Sequence, residues 1–139
     1  MKLQLITLSG VKIDKDVYGV TIPTRSGEIS VYQGHEPLIT LAENGILSVR
    51  TKKHDSSAAL DYLAISGGVV EIDADGVTIL VDDADHGEDI IESESKAALE
   101  RALKMREKAS SQIELEEAGR LIDRHSVRLK VAGLRRRKR

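Results

Sequence analysis

A chain of 139 residues with no Cys, no Phe and no Trp has room for one modest core, or for one domain and an appendage. Lacking cysteine, it forms neither a disulfide framework nor a thiolate zinc site, which suits a reducing compartment; with 40% hydrophobic and 32% charged residues it has soluble-protein proportions. The net charge of −2 conceals a segregation, because residues 1–81 carry −3, residues 82–119 carry −7 and residues 120–139 carry +8, which points to a partner surface rather than to the fold.

The start, "MKLQLITLSG", holds one lysine and a short, polar-interrupted apolar stretch, so it does not read as a signal peptide. No run approaches the ~20 apolar residues of a membrane span, and a soluble chain is expected. Up to about residue 81 the pattern is β-like. Strands are expected at 2–8, 20–22, 28–32, 46–50, 61–65, 69–72 and 77–81, rich in Val, Ile and Leu. Turn formers separate them: Ser26-Gly27, Asn44-Gly45, Gly67-Gly68 and Asp75-Gly76. The last lies in "VVEIDADGVTILV", which reads as a β-hairpin. Pro23 and Pro37 are expected between strands, where a missing N–H costs no ladder bond. Short strands at this spacing argue for an antiparallel sandwich or barrel.

"DDADHGED", residues 82–89, reads as a solvated linker carrying helix-capping acids, and its spacing does not fit an EF-hand loop. Ser93 is expected to cap a first helix whose opening turn is acidic, as the helix dipole favours. Ala98, Ala102, Met105 and Ala109 form its stripe, flanked by Leu99 and Leu103. Ser110–Gln112 breaks the pattern. A second helix then repeats Leu115, Ala118, Ile122, His125, Leu129 and Ala132 as a narrow seam. Two helices across a short break read as an antiparallel hairpin. Alanine buries little area, and Gly119 costs the second helix a further ~1 kcal/mol. Such a hairpin is either a loosely held switch element or an ordinary appendage.

No catalytic set assembles. None of His35, His54, His86 and His125 has a second histidine three to five residues away, so no zinc-type pair exists. His125 lies on the helical seam and reads as a packing residue, while His54 and His86 sit in polar loop sequence. No G-x-S-x-G, P-loop or G-x-G-x-x-G is present. The terminal "RRRKR" reads as a solvated tail or as a contact with an acidic partner. Arg120, Arg124 and Arg128, four apart, form a ladder expected to point away from the seam and to continue into that tail. No aromatic residue lies on this face to stack bases, which favours a protein partner over single-stranded nucleic acid.

The run "IPTRSGEISVYQGHEPLITL", then "NGILSVR", "YLAISGGVVEI" and "VTILVDDAD", followed by an Ala-rich helical pair, resembles the ε subunit of bacterial F-type ATP synthase. The resemblance covers almost the whole chain and keeps the element order. It implies an α+β fold: an antiparallel β-sandwich over residues 1–85, then an antiparallel two-helix hairpin with a basic tail over residues 86–139. It implies a non-catalytic, peripheral subunit, one copy per complex, at the cytoplasmic face of the bacterial plasma membrane. There it would couple the γ subunit to the membrane ring of c subunits during proton-driven ATP synthesis. The Gly27-Glu28 loop and the Gly34-His35 turn would lie at the end facing that ring, so "GHEPL" shapes a turn and an interface. The hairpin would fold against the sandwich, or extend along γ into the catalytic head and inhibit ATP hydrolysis. Arg120, Arg124, Arg128, Lys130 and Arg135, with the remaining basic residues to Arg139, would then meet an acidic segment of the β subunit.

In some members I-D-x-x-R-A opens the first helix and binds ATP. Here the stretch is "IIESES", with Ile91 at the Asp position and Glu94 at the Arg position. A carboxylate in place of a phosphate-pairing cation reverses the interaction, so no ATP and no other cofactor is expected. Two other readings remain at this stage. One is a free β-sandwich adaptor whose basic tail binds nucleic acid or anionic membrane; the other is a small enzyme using His35, which no constellation supports.

Overall fold

The computed structural model describes the backbone of residues 1–138 and the side chains of residues 1–135. Ten strands precede two helices: β1 (Lys2–Thr7), β2 (Gly10–Asp16), β3 (Gly19–Thr24), β4 (Gly27–Tyr32), β5 (Leu38–Ala42), β6 (Gly45–Arg50), β7 (Asp61–Ile65), β8 (Gly68–Ile72), β9 (Gly76–Val81), β10 (Ala84–His86), α1 (Glu92–Lys108) and α2 (Gln112–Lys138). One layer is ordered β4-β3-β6-β7-β10 and the other β5-β8-β9-β1-β2, and a single bridge, Thr24 to Ala42, joins them. The expected α+β class holds. One pairing departs from the antiparallel rule: β1 lies parallel to β9, from Lys2 opposite Gly76 to Ile6 opposite Leu80.

The core follows from the two-residue period of a strand. Val77, Ile79 and Val81 of β9 point inward, as do Leu3 and Leu5 of β1, and they meet Val20, Ile22, Leu47, Val49, Leu63 and Ile65 from the facing layer. Leu, Ile and Val fill this space without a single Phe or Trp. Each such side chain, fully buried, contributes roughly 1.5–3 kcal/mol.

Three strands were not expected. β2 buries only Ile13 among charged neighbours, and so shows no alternation. β5 is apolar on both faces, and β10 spans three residues. Pro23 lies within β3 opposite Glu28 rather than between strands. It is tolerated because β6 pairs with β3 only as far as Thr21. The stretch 82–89 is not a linker either. Ala84 is buried in the core, His86 belongs to β10, and Gly87–Asp89 forms a 3-10 turn. The expected domain boundary at residue 85 therefore falls inside a strand.

The hairpin breaks at Ala109–Ser111, within one residue of expectation. Ile91 precedes α1 with no side-chain cap, so Ser93 is not the cap, although Glu92 and Glu94 supply the acidic first turn. Between the helices only Ser95, Ala102 and Ala118 are buried, while Met105 and Leu115 of the expected stripes stand exposed. The second face of α2 was not foreseen. Val131 and Ala132, with Val127, pack on Ala64, Ile46 and Tyr62 of β6 and β7 and on Ile90. The hairpin lies folded against the sandwich through this small apolar seat.

Candidate functional site

The strand layers leave two outer faces. Outward residues of β6 and β7 are covered by α2. The other outer face is bare. Leu41 of β5 stands opposite Val69 of β8, Val69 opposite Leu80 of β9, Leu80 opposite Ile6 of β1, and Ile6 opposite Val11 of β2. This makes one apolar row across all five strands of that layer. Leu41 is 56% exposed, Leu80 50% and Val11 62%, and Ile39 extends the patch along β5 at 72%. A contiguous apolar strip of this kind on a chain otherwise rich in charge marks a docking surface. The sequence reading singles out none of these residues. The signal was present, since "LITL" and "TILV" are apolar at consecutive positions and an antiparallel strand so built has both faces covered.

Among the residues expected to touch a rotor ring, Gly27 and Gly34 both take positive φ, 112° and 83°, a conformation that only glycine enters without strain. The first closes the β3–β4 turn, where Thr24 Oγ1 donates to the Gly27 carbonyl at 2.6 Å. The second follows β4, and its N–H donates to the Ala74 carbonyl at 3.0 Å, tying it to the β8–β9 turn. The two turns sit at opposite ends of β4, about 20 Å apart at ~3.4 Å per residue. Gly27-Glu28 and Gly34-His35 therefore lie at opposite ends of β4, and not together at one end of the sandwich as the resemblance implies. His35 Nδ1 donates to the Glu36 carbonyl at 2.6 Å, a bond that stiffens the turn. Among the described residues no group of three or more His, Asp or Glu side chains is placed to hold a metal ion.

The arginine ladder also differs from expectation. Arg124 and Arg128 do not belong to a free basic face continuous with the tail, because they lie against the segment around β10. Arg124 pairs with Asp83, Arg128 pairs with Asp85 and lies 4.0 Å from Asp83, and Arg135 Nη1 donates to the Glu88 carbonyl at 2.9 Å. Arg120 and Lys130 are exposed and make no ion pair among the described residues. Arg139, and the side chains of residues 136–138, lie outside what the structure describes.

Between the start of α1, the 3-10 turn and α2 is a cavity of about 480 Å³ lined by Asp85, Asp89, Glu94, Arg101, His125 and Arg128 among others. Three carboxylates face two guanidinium groups, one of them already held by Asp85. This wall does not suit a polyphosphate, in keeping with Ile91 and Glu94 at the altered motif.

His125 presents a buried, unpartnered Nδ1 there. Burial holds its pKa below the usual 6.5, and the nearby Arg128, Arg124 and Arg101 push it the same way. Arg124 and Arg128 travel with α2, so what docking adds is the burial of the ring, and by that much the docked state resists a proton that the undocked helix accepts more readily. Docking is at full strength above the unfolded value of about 6.5 and weakens as pH falls from there towards the lowered folded value. Hydrogen-exchange protection of α2 is expected to drop between about pH 7 and pH 5, and to drop less in His125→Gln. Equal slopes for the two proteins would assign the loss to another group.

The described helices include none long and apolar enough to cross a membrane. Residues 1–87 match the model of the β-sandwich domain of the delta/epsilon chain of ATP synthase. The chain is 34% identical over 125 residues to the ATP synthase epsilon chain of Trichodesmium erythraeum (strain IMS101), covering 86% of each chain. It is 33% identical over 132 residues to that of Bacillus licheniformis, covering 95% of this chain and 97% of the relative. In fold it is similar to a chain in the cryo-EM structure of Euglena gracilis mitochondrial ATP synthase, OSCP/F1/c-ring in rotational state 1. The TM-score is 0.78 at 24% identity, over 94% of this chain and 79% of that one. With residues 1–87 matched to the sandwich domain and about a third of the residues identical over alignments that span 86% and 95% of the chain, the chain belongs to the epsilon-chain family of F-type ATP synthase, non-catalytic accessory subunits of that complex.

Proposed function

We propose that this chain is a central-stalk subunit that joins the γ subunit to the membrane ring of c subunits, and that its C-terminal hairpin restrains ATP hydrolysis. The observation that carries the first half is the bare apolar row Leu41, Val69, Leu80, Ile6 and Val11. A rotor component needs a wide, stiff, permanent contact with its shaft, and a flat sheet face of exposed aliphatic side chains supplies one. The glycine turns at the two ends of β4 then serve separate contacts. Gly27-Glu28 with the adjoining turn suits the ring, and Gly34-His35 suits the margin of the γ seat. In this reading the subunit is peripheral, at the cytoplasmic face of a bacterial plasma membrane.

The second half is supported by the second helix. Its seat on the sandwich is small, the side chains buried between it and the first helix are only Ser95, Ala102 and Ala118, and its charge is opposite to that of the acidic β-subunit segment expected to receive it. Arg120, Arg124, Arg128, Lys130 and Arg135 are the residues that would make that contact once α2 extends. The free adaptor reading loses ground, because two of the three arginines of the ladder are paired within the chain, and the apolar row gives nucleic acid nothing to bind.

One experiment addresses both halves. The chain cut after Ile91, which keeps β10 and the 3-10 turn whole, is compared with the full chain in the assembled complex. Both are expected to co-purify with γ, and the shortened chain is expected to raise ATPase activity severalfold. Absence of γ from both would end the stalk reading; equal activities would end the inhibitory one.

A further inference from the structure

The pairing of α2 with the segment around β10 is a match of two periods. Ala84 points into the core, so Asp83 and Asp85 on either side of it point outward, roughly 6.6 Å apart along the chain at ~3.3 Å per residue. Arg124 and Arg128 are one helical turn apart, about 6 Å at 1.5 Å per residue. A carboxylate at every second strand position therefore meets a guanidinium at every fourth helix position, and each arginine finds its own aspartate. Arg135 adds a bond to the Glu88 carbonyl further along the same line. Arg128 is the most enclosed, with a side chain 23% exposed against 28% for Asp85. These pairs are partly shielded, and ordinary salt weakens them without abolishing them.

We infer that Asp83 and Asp85 form a built-in substitute for the acidic partner: they occupy Arg124 and Arg128 while the hairpin is docked, so docking and engagement compete for the same two guanidinium groups. This rests on the reading that α2 meets an acidic surface of the β subunit. The partner surface must then offer carboxylates at a spacing of about 6–7 Å, the repeat of a helical turn or of two strand residues. Arg120 and Lys130, which make no ion pair among the described residues, serve for a first encounter, and exchange of Arg124 and Arg128 follows. The arm is thereby released in proportion to the partner's charge. No small ligand is needed, which accords with a neighbouring cavity ill suited to polyphosphate.

The test uses the full chain with Asp83→Asn and Asp85→Asn together, read by hydrogen exchange of α2 in the free subunit and by ATPase activity in the complex. In the wild type, protection of α2 is expected to fall as salt rises from about 0.05 to about 0.5 M, the range over which the screening length shortens from ~14 to ~4 Å. In the double variant it is expected to be about ten-fold lower at low salt and nearly independent of salt, with the strands still protected. Restored protection on combining Asp83→Lys and Asp85→Lys with Arg124→Glu and Arg128→Glu would support direct pairing. Unchanged protection in the asparagine variant would overturn the inference, whatever α2 does in the complex. Lowered protection with unchanged ATPase activity would support the pairing and overturn the inhibitory reading beneath it. Lowered protection with stronger inhibition would support both.

Discussion

With Val69 and Leu80 both changed to lysine, the chain is expected to stay folded and to lose its hold on γ by more than a hundred-fold. The two positions face each other on β8 and β9 at the middle of the bare row. Both side chains are 40% or more exposed in the free subunit, so the sandwich keeps its core of Leu3, Leu5, Val70, Ile79 and their neighbours. Exposed substitutions of this kind shift stability by about 0.5 kcal/mol or less, with a small further loss for lysine in a strand. In an interface the cost is of another order. Each ammonium must lose its hydration or hold the surfaces apart, at several kcal/mol. A hundred-fold loss of affinity corresponds to only about 2.7 kcal/mol. Co-purification of γ with the double variant, at unchanged circular dichroism, measures the effect. Retention of γ at wild-type level would show that the shaft seats elsewhere.

The parts of this fold that could be read from the chain are those in which one side of an element is buried and the other is not. Val77, Ile79 and Val81 alternate with Thr78 and Leu80 around the "DADG" turn, so the β8–β9 hairpin was plain. The break at Ser110–Gln112 was equally plain, because a helical period stops there. What could not be read depends on a neighbour not named by local sequence. β2 carries one inward residue, and its identity as a strand comes from its ladder with β1. The direction of the arginine ladder needed knowledge of what α2 lies on. Val127 and Val131 look like ordinary helical residues until Ala64 and Tyr62 are beneath them. Gly27 and Gly34 are close in sequence, yet the strand between them sends them to opposite ends of the layer. The apolar row is the reverse case, written into "LITL" and "TILV" but easily taken for core.

Releasing the second helix should act opposite in sign to removing it. Val131 is fully buried at the centre of the seat, beside Ala132, Ala64 and Ile90. Aspartate there would place a carboxylate among aliphatic groups, costing about 3 kcal/mol or more and moving the docked-to-undocked ratio by over a hundred-fold. The sandwich should not suffer, since its main cluster does not include Val131. The same seat can be spoiled from beneath without touching the arm. A Cβ added to Gly87 would come within 3.1 Å of Val131 Cγ1 and 3.3 Å of the Tyr62 carbonyl. Gly87→Leu has nowhere to put its side chain except where α2 rests, an overpacking worth roughly 1–3 kcal/mol. Both variants are expected to expose α2 to protease while strand protection persists. If the arm brakes the motor when extended, both should lower ATPase activity of the complex, whereas the chain ending at Ile91 should raise it. Gly87→Leu is the more telling of the two, since every residue that would reach the β subunit is left in place. A rise in activity with Gly87→Leu, like that with the truncation, would mean that the docked hairpin is itself the brake.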